Sequence, residues 1–284
     1  MSPKHGRVIR SARWIAPAAV ATAITGSAVA LGAVQRRATT SVPAQATGSV
    51  TAKCKRGEVA LAGGFASPGF DPSAGGGPVA RFDSMPAGKR GVETSGFNFG
   101  NDPGELDSFA YCGKRAHPPR IRSNRVQVAP SSSGSVVARC PQGSKAIAGG
   151  FGTNQSVITL VSKRVGKRGW KVAGVNINDS GNPSGPAKLI AYAYCKAPGP
   201  RIITRSKDAT VSSGFRTSKV SCPRHARALS GGFDGHVRRT GNQLTAAGAL
   251  DSKQAAHGRA WTTSALSVSA PNAATITTLV YCHR

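Results

Sequence analysis

Three copies of one motif hold all six cysteines of this chain. The first copy runs from Ser49-Val50-Thr51-Ala52-Lys53-Cys54 to Gly63-Gly64-Phe65. The second runs from Ser135-Val136-Val137-Ala138-Arg139-Cys140 to Gly149-Gly150-Phe151, and the third from Ser218-Lys219-Val220-Ser221-Cys222 to Gly231-Gly232-Phe233. Each closes on a tyrosine and a second cysteine: Tyr111-Cys112, Tyr194-Cys195 and Tyr281-Cys282. A repeated unit must fold the same way each time and usually buries its apolar face against its siblings, so repetition constrains architecture before any local pattern does. After the second cysteine, Pro119-Arg120-Ile121 and Pro200-Arg201-Ile202 mark where new units begin. The expected units are residues 35–118, 119–199 and 200–284.

The residues ahead of the first copy have export composition. Lys4, Arg7, Arg10 and Arg13 precede an uncharged stretch from Trp14 to Val34, in which Ala28-Val29-Ala30 forms a small-residue cleavage site. Residues 1–30 are therefore expected to be a signal peptide, with a membrane anchor over residues 14–34 as the alternative. Removing its four basic residues from a net charge of +27 leaves about +23, so the excess belongs to the mature domain. Paired cysteines in an exported chain form disulfides, and the repeat selects Cys54–Cys112, Cys140–Cys195 and Cys222–Cys282. No C-x-x-C occurs and the C-x-x-H from Cys222 to His225 has no counterpart in the other copies, so neither a metal nor a cofactor is expected.

Local patterns point to strands throughout. Val136, Ala138 and Cys140 alternate with Ser135, Val137 and Arg139, the period of a half-buried strand, and Cys140-Pro141-Gln142-Gly143 is turn chemistry. Leu61, Ile147 and Leu229 hold one position in a second strand that ends at Gly-Gly-Phe, where the doublet marks a bulge or a close backbone approach. The segments Phe65 to Val92, Phe151 to Trp170 and Phe233 to Trp261 vary in length and are expected to be exposed loops. Strands follow at Gly91, Gly169 and Ala260, and the closing strand alternates Ile190, Tyr192, Tyr194 with Ala191, Ala193, Cys195. The chain therefore falls in the all-β class, with three homologous antiparallel units of four or five strands.

A Cys-Pro-x-Gly turn, an alanine-rich strand, Gly-Gly-Phe, a later Trp strand and a closing Tyr-x-Tyr-Cys resemble a repeat of secreted, mostly uncharacterised bacterial proteins. The strand pair carrying Cys-Pro-x-Gly and Gly-Phe, three times over, also looks like the vitelline membrane outer layer protein I family, although that family's Asp-rich turn is not recognisable here. The second resemblance implies a pseudo-threefold β-prism, the alternative being three tandem disulfide-clamped small β-domains. Neither resemblance supplies a catalytic residue or a ligand.

Material for catalysis is thin. The acidic cluster Asp102, Glu105 and Asp107 lies in turn composition, and no G-x-S-x-G or S-x-x-K motif occurs. The chain is expected not to be an enzyme. The densest basic run, Lys163, Arg164, Lys167, Arg168 and Lys171 around Trp170, suits an anionic polysaccharide or another extracellular polyanion. A basic surface that merely holds the protein at the cell wall is the competing account, and a hydrolase on the acidic loop is a third. Trp170, Trp261 and the closing tyrosines are either sugar platforms or core, and the scarcity of large residues favours core.

Overall fold

In the computed structural model, residues 33–68, 79–114, 118–153, 157–177, 186–212, 214–240, 243–267 and 273–284 are described. The expected signal peptide lies outside these residues. Repeat 1 supplies β1 (Val34–Val42), β2 (Thr47–Lys53), β3 (Glu58–Ala66), β4 (Val79–Ala87), β5 (Gly91–Asn98) and β6 (Gly104–Lys114). Repeat 2 supplies β7 (Arg120–Val128), β8 (Ser133–Arg139), β9 (Lys145–Thr153), β10 (Val157–Val165), β11 (Gly169–Asn176) and β12 (Ala187–Lys196). Repeat 3 supplies β13 (Ile203–Val211), β14 (Phe215–Ser221) and β15 (Arg227–Asp234), then a short hairpin of β16 (Arg238–Thr240) and β17 (Gln243–Thr245). It ends with β18 (Ala247–Gln254), β19 (Ala260–Ser267) and β20 (Ala274–His283).

Each repeat splits into two three-stranded leaves that join different neighbours. The six-stranded sheets run β1-β6-β3-β18-β19-β14, β2-β5-β4-β9-β12-β7 and β13-β20-β15-β10-β11-β8. Every sheet thus takes one leaf from each of two repeats, and the exchange closes after three steps. Tandem independent domains are excluded by this exchange, and the all-β prism stands. The leaves meet over one or two ladder positions: Ser252 opposite Phe65, Ser84 opposite Phe151, and Ser162 with Val161 opposite Phe233 with Asp234.

At those junctions Phe65, Phe151 and Phe233 turn inward and meet pairwise, edge to face, with centroids 6.0, 6.1 and 6.2 Å apart. Such aromatic pairs contribute about 0.5–1.5 kcal/mol each beyond their burial, and here they mark the pseudo-threefold axis. The Gly-Gly doublet makes the junction possible. A Cβ on Gly149 would lie 2.1 Å from the Trp170 ring, and one on Gly150 would lie 2.4 Å from the Ser84 carbonyl oxygen of the neighbouring repeat. The first glycine admits the repeat's own indole, and the second admits its neighbour's backbone.

Six strands per repeat in the large sheets, with the β16–β17 hairpin added in repeat 3, exceed the four or five expected from sequence. β7, an outer strand of its sheet, carries exposed side chains from Arg120 to Arg125, so no apolar alternation announces it. β4, β10 and β18 occupy what the variable lengths suggested were loops. They are sheet strands whose length variation is taken up before them, between Phe and the strand start. The disulfide register agrees with the repeat reading: Cys54–Cys112, Cys140–Cys195 and Cys222–Cys282, with Cα–Cα distances of 5.6, 5.4 and 5.7 Å. Each bond joins the two leaves of one repeat, and so ties one sheet to the next.

Candidate functional site: the basic end of the prism

All three disulfides lie at one end of the prism, as strand pairing dictates. Each repeat begins opposite its own second cysteine: Val34 pairs with Cys112, Arg120 with Cys195 and Ile203 with Cys282. Because β6 runs from Cys112 into the short linker before Arg120, and β12 from Cys195 into the one before Ile203, every linker leaves one disulfide and arrives at the next. The β4–β5, β10–β11 and β18–β19 tips reach the same end. There the backbone carbonyls of Arg90, Arg168 and Arg259 each accept the N–H of a first cysteine, Cys54, Cys140 and Cys222, at 2.8 Å.

That bond commits the tip backbone inward and leaves the side chains in solvent. Lys89, Arg90, Lys167, Arg168 and Arg259 are all exposed. In the described turns and tips of this end the one carboxylate side chain is that of Glu58, and it is engaged by Arg36 at 3.4 Å and by the Lys55 N–H at 2.9 Å. Five exposed cations on three neighbouring tips make this end a basic surface.

The basic run expected from sequence divides in two here. Lys167 and Arg168 stand at the β10–β11 tip, exposed, while Lys171 is half-buried on β11. Lys163 is paired with Asp234 across the repeat 2–repeat 3 junction. Arg164 is turned onto its own protein: Nε donates to the Ala146 carbonyl at 2.8 Å and a terminal nitrogen to that of Lys167 at 2.9 Å. Burial lowers its guanidinium pKa below the ordinary value, with the nearby Tyr281 acting the other way. Trp170 must be withdrawn from any ligand site. It is 1% exposed, donates from Nε1 to the Ser162 hydroxyl at 3.0 Å and packs on Tyr281.

The acidic cluster does not form a paired-carboxylate site. Asp107 is buried and held by Arg37, through Nε at 2.9 Å, and by the Thr39 hydroxyl at 2.7 Å. Asp102 and Glu105 remain exposed. A hydroxyl–imidazole–carboxylate contact occurs elsewhere: Thr277 Oγ1 donates to Asp208 at 2.6 Å and lies 2.6 Å from His236 Nε2. With the hydroxyl proton committed to Asp208, the imidazole must donate, and a donating nitrogen is no base for that hydroxyl. The grouping of Cys54, Cys112 and Glu58 offers no thiolate to a metal, since both cysteines are in the disulfide.

Sequence reasoning missed a threefold position of arginines on the edge strands that open each repeat. Arg36, Arg122 and Arg205 pair with Ala110, Ala193 and Val280, one equivalent position on the first strand of each repeat. They stand 18, 18 and 17 residues before the first cysteine, a spacing that was available as a signal. These strands are sheet edges, where charged side chains discourage pairing with another chain. Part of the basic excess is thus accounted for without a ligand.

Comparison with protein-family models and with curated proteins finds no match to this chain. Three disulfides point to an oxidising, extracellular setting, and no described helix is long and apolar enough to cross a membrane.

Proposed function

We propose that this is a secreted, non-catalytic protein that binds an anionic polysaccharide or another extracellular polyanion through the disulfide end of its prism. The observation that carries the reading is the convergence of cations from the tips of all three repeats on one end, where the one carboxylate side chain in the described turns and tips, Glu58, is already paired. Three cationic tips around one axis suit a polymer with repeated anionic groups, because several modest contacts made together bind far more tightly than one. The copy-two tip contributes Lys167 and Arg168 to this surface without being the whole of it.

The edge arginines favour a second reading, in which the charge keeps the sheets apart and holds the protein at a cell wall without a selective ligand. The two are separated by a matched pair of variants. One replaces Lys89, Arg90, Lys167 and Arg168 with Ser; the other removes the same charge at Arg122, Arg125, Arg205 and Lys207. Binding to a sulfated polysaccharide or to polyphosphate, followed across a salt series, is expected to weaken at least tenfold more in the tip variant and to lose salt dependence there. Equal losses in both would replace the binding reading with the structural one.

A further inference from the structure

In the turn after its first cysteine, repeat 3 has a histidine where its siblings have glycine. The residue three after the first cysteine has positive φ in every copy: Gly57 at 88°, Gly143 at 77° and His225 at 64°. In each the turn is closed by a three-residue hydrogen bond, Glu58 N–H to Lys55, Ser144 to Pro141 and Ala226 to Pro223. A turn with a left-handed third residue takes glycine at no steric cost, whereas a residue with a β-carbon is strained there. His225 is exposed and carries there a strain that Gln45, Ser131, His236 and His257 carry elsewhere, so the case for its use rests on what surrounds it.

His225 stands at a recess of about 110 Å³ lined also by Ala33, Arg227, Ala228, Leu229, His283 and Arg284. His283 and Arg284 also line a second recess, of about 130 Å³, with Arg201 and Ile203. Arg227 and His283 are cross-strand partners in the β15–β20 ladder, so their side chains share a face. His283 Nδ1 is buried and has no partner among the described residues. Neither recess has a carboxylate side chain in its lining. Two arginines and two histidines lining one recess with no carboxylate side chain suit a tetrahedral oxyanion.

We infer that His225, Arg227, His283 and Arg284 form a pocket for one phosphate monoester group, the end group or a branch of the polymer held by the surrounding basic face. Its role as an end-group pocket rests on the polyanion reading, but its residues are separate from the tips. Arg201 adds charge in the adjoining recess.

The test uses the mature protein with glucose 6-phosphate, glucose and inorganic phosphate as probes, read by the imidazole resonances. Glucose 6-phosphate is expected to shift His225 and His283 saturably and to leave the exposed His257 of the β18–β19 tip unmoved, while glucose shifts none. Inorganic phosphate binding as tightly as the sugar phosphate would identify a free-phosphate site and keep the inference; weaker binding would assign part of the recognition to the ring. His225→Gly restores the residue of the other two copies, so the fold is expected to be retained or stabilised while sugar phosphate affinity falls at least tenfold. The Lys167→Ser/Arg168→Ser variant is expected to bind the sugar phosphate as the parent does. Unchanged affinity in His225→Gly, or His257 shifting together with His283, would overturn the pocket. Loss of polymer binding with intact sugar phosphate binding would instead overturn the polymer role alone.

Discussion

The three junctions between repeats use the same backbone plan, but the one joining repeats 1 and 2 lacks two contacts that the others possess. In the sheet shared by repeats 1 and 3, Trp261 donates to Ser252 at 2.8 Å and packs 5.4 Å from Tyr111, whose hydroxyl accepts the Gln254 N–H at 2.6 Å. The sheet shared by repeats 2 and 3 repeats this with Trp170, Ser162, Tyr281 and the Arg164 N–H, the last at 2.7 Å. Between repeats 1 and 2, Val92 stands where the indole would be. Two residues beyond Ser84, where Gln254 and Arg164 stand beyond their own serines, the residue is Pro86, which has no N–H to give Tyr194. Asp83 ties that junction instead, accepting the Thr153 N–H across it and the Ser95 hydroxyl at 2.6 Å. What all three share, Gly-Gly-Phe, the junction serine and the disulfide, is therefore what fixes the architecture. The indole and the tyrosine bond add stability to a geometry already set.

The comparison is broken most directly at the indoles. Trp170→Val and Trp261→Val should each cost about 3 kcal/mol, from lost burial, a cavity and a serine hydroxyl deprived of its donor. Val92→Ala should cost about 2 kcal/mol. Urea midpoints at constant m-value measure all three, and an equal loss at each junction would show that the indoles are not an added layer.

The tyrosines sharpen it. Tyr111→Phe and Tyr281→Phe each leave a backbone donor unpaired and should cost about 1 kcal/mol, while Tyr194→Phe should stay within about 0.5 kcal/mol. Burial raises all three phenols above their ordinary pKa, with the Gln254 and Arg164 N–H bonds opposing it at Tyr111 and Tyr281. A folded value above the unfolded one means full stability below about pH 10 that drains away as pH rises past it. Ultraviolet titration should show these three phenols ionising only together with unfolding. Early ionisation of Tyr111 or Tyr281 in the folded protein would count against the bonded arrangement.

The smallest effect belongs to the ion pair of the repeat 2–repeat 3 junction. Burial pushes the Asp234 carboxyl up, but the Lys163 ammonium and the His236 N–H outweigh it and hold the pKa below its ordinary value. A depressed folded value gives a contribution present above about pH 4 and lost as pH falls through the folded value. With both groups partly solvated, Asp234→Asn should cost at most about 1 kcal/mol at neutral pH, and nothing once the wild-type carboxyl is protonated. Paired thermal melts at pH 7 and pH 2 test this.

Much of the fold was legible because its constraints are local and threefold. The alternation into Cys140, the glycine doublet and the closing Tyr-Cys each repeat, and a small face in period two has one meaning. What escaped was β4, β10 and β18, together with β1, β7 and β13, the strands that open each repeat. A strand such as β7 is specified by the partner it lies beside, not by its own apolar face, and which leaf pairs with which neighbour is nowhere written in a single repeat. The site was legible as charge but not as place. Lys163 and Arg164 look no different in sequence from Lys167 and Arg168, and only the junction with Asp234 and the Ala146 carbonyl separates the spent cations from the exposed ones.

Leaf exchange also makes the chain's starting point arbitrary. Every leaf finds its partner in another repeat, and Val34, the 197–202 linker and His283 all lie at the disulfide end, so the ring of three has no intrinsic first member. A circular permutant that joins residue 284 to residue 33 through a short flexible linker and opens between residues 197 and 202 keeps every strand pair and every disulfide. It should fold to the same prism, with the same three bridges by peptide mapping, whereas deletion of any one repeat leaves two leaves without sheets and should yield no soluble monomer. By the same logic a single repeat carries both halves of the junction, and three separate copies could close the ring as a trimer; expression of residues 119–199 alone, sized in solution, would show whether the covalent chain is needed at all.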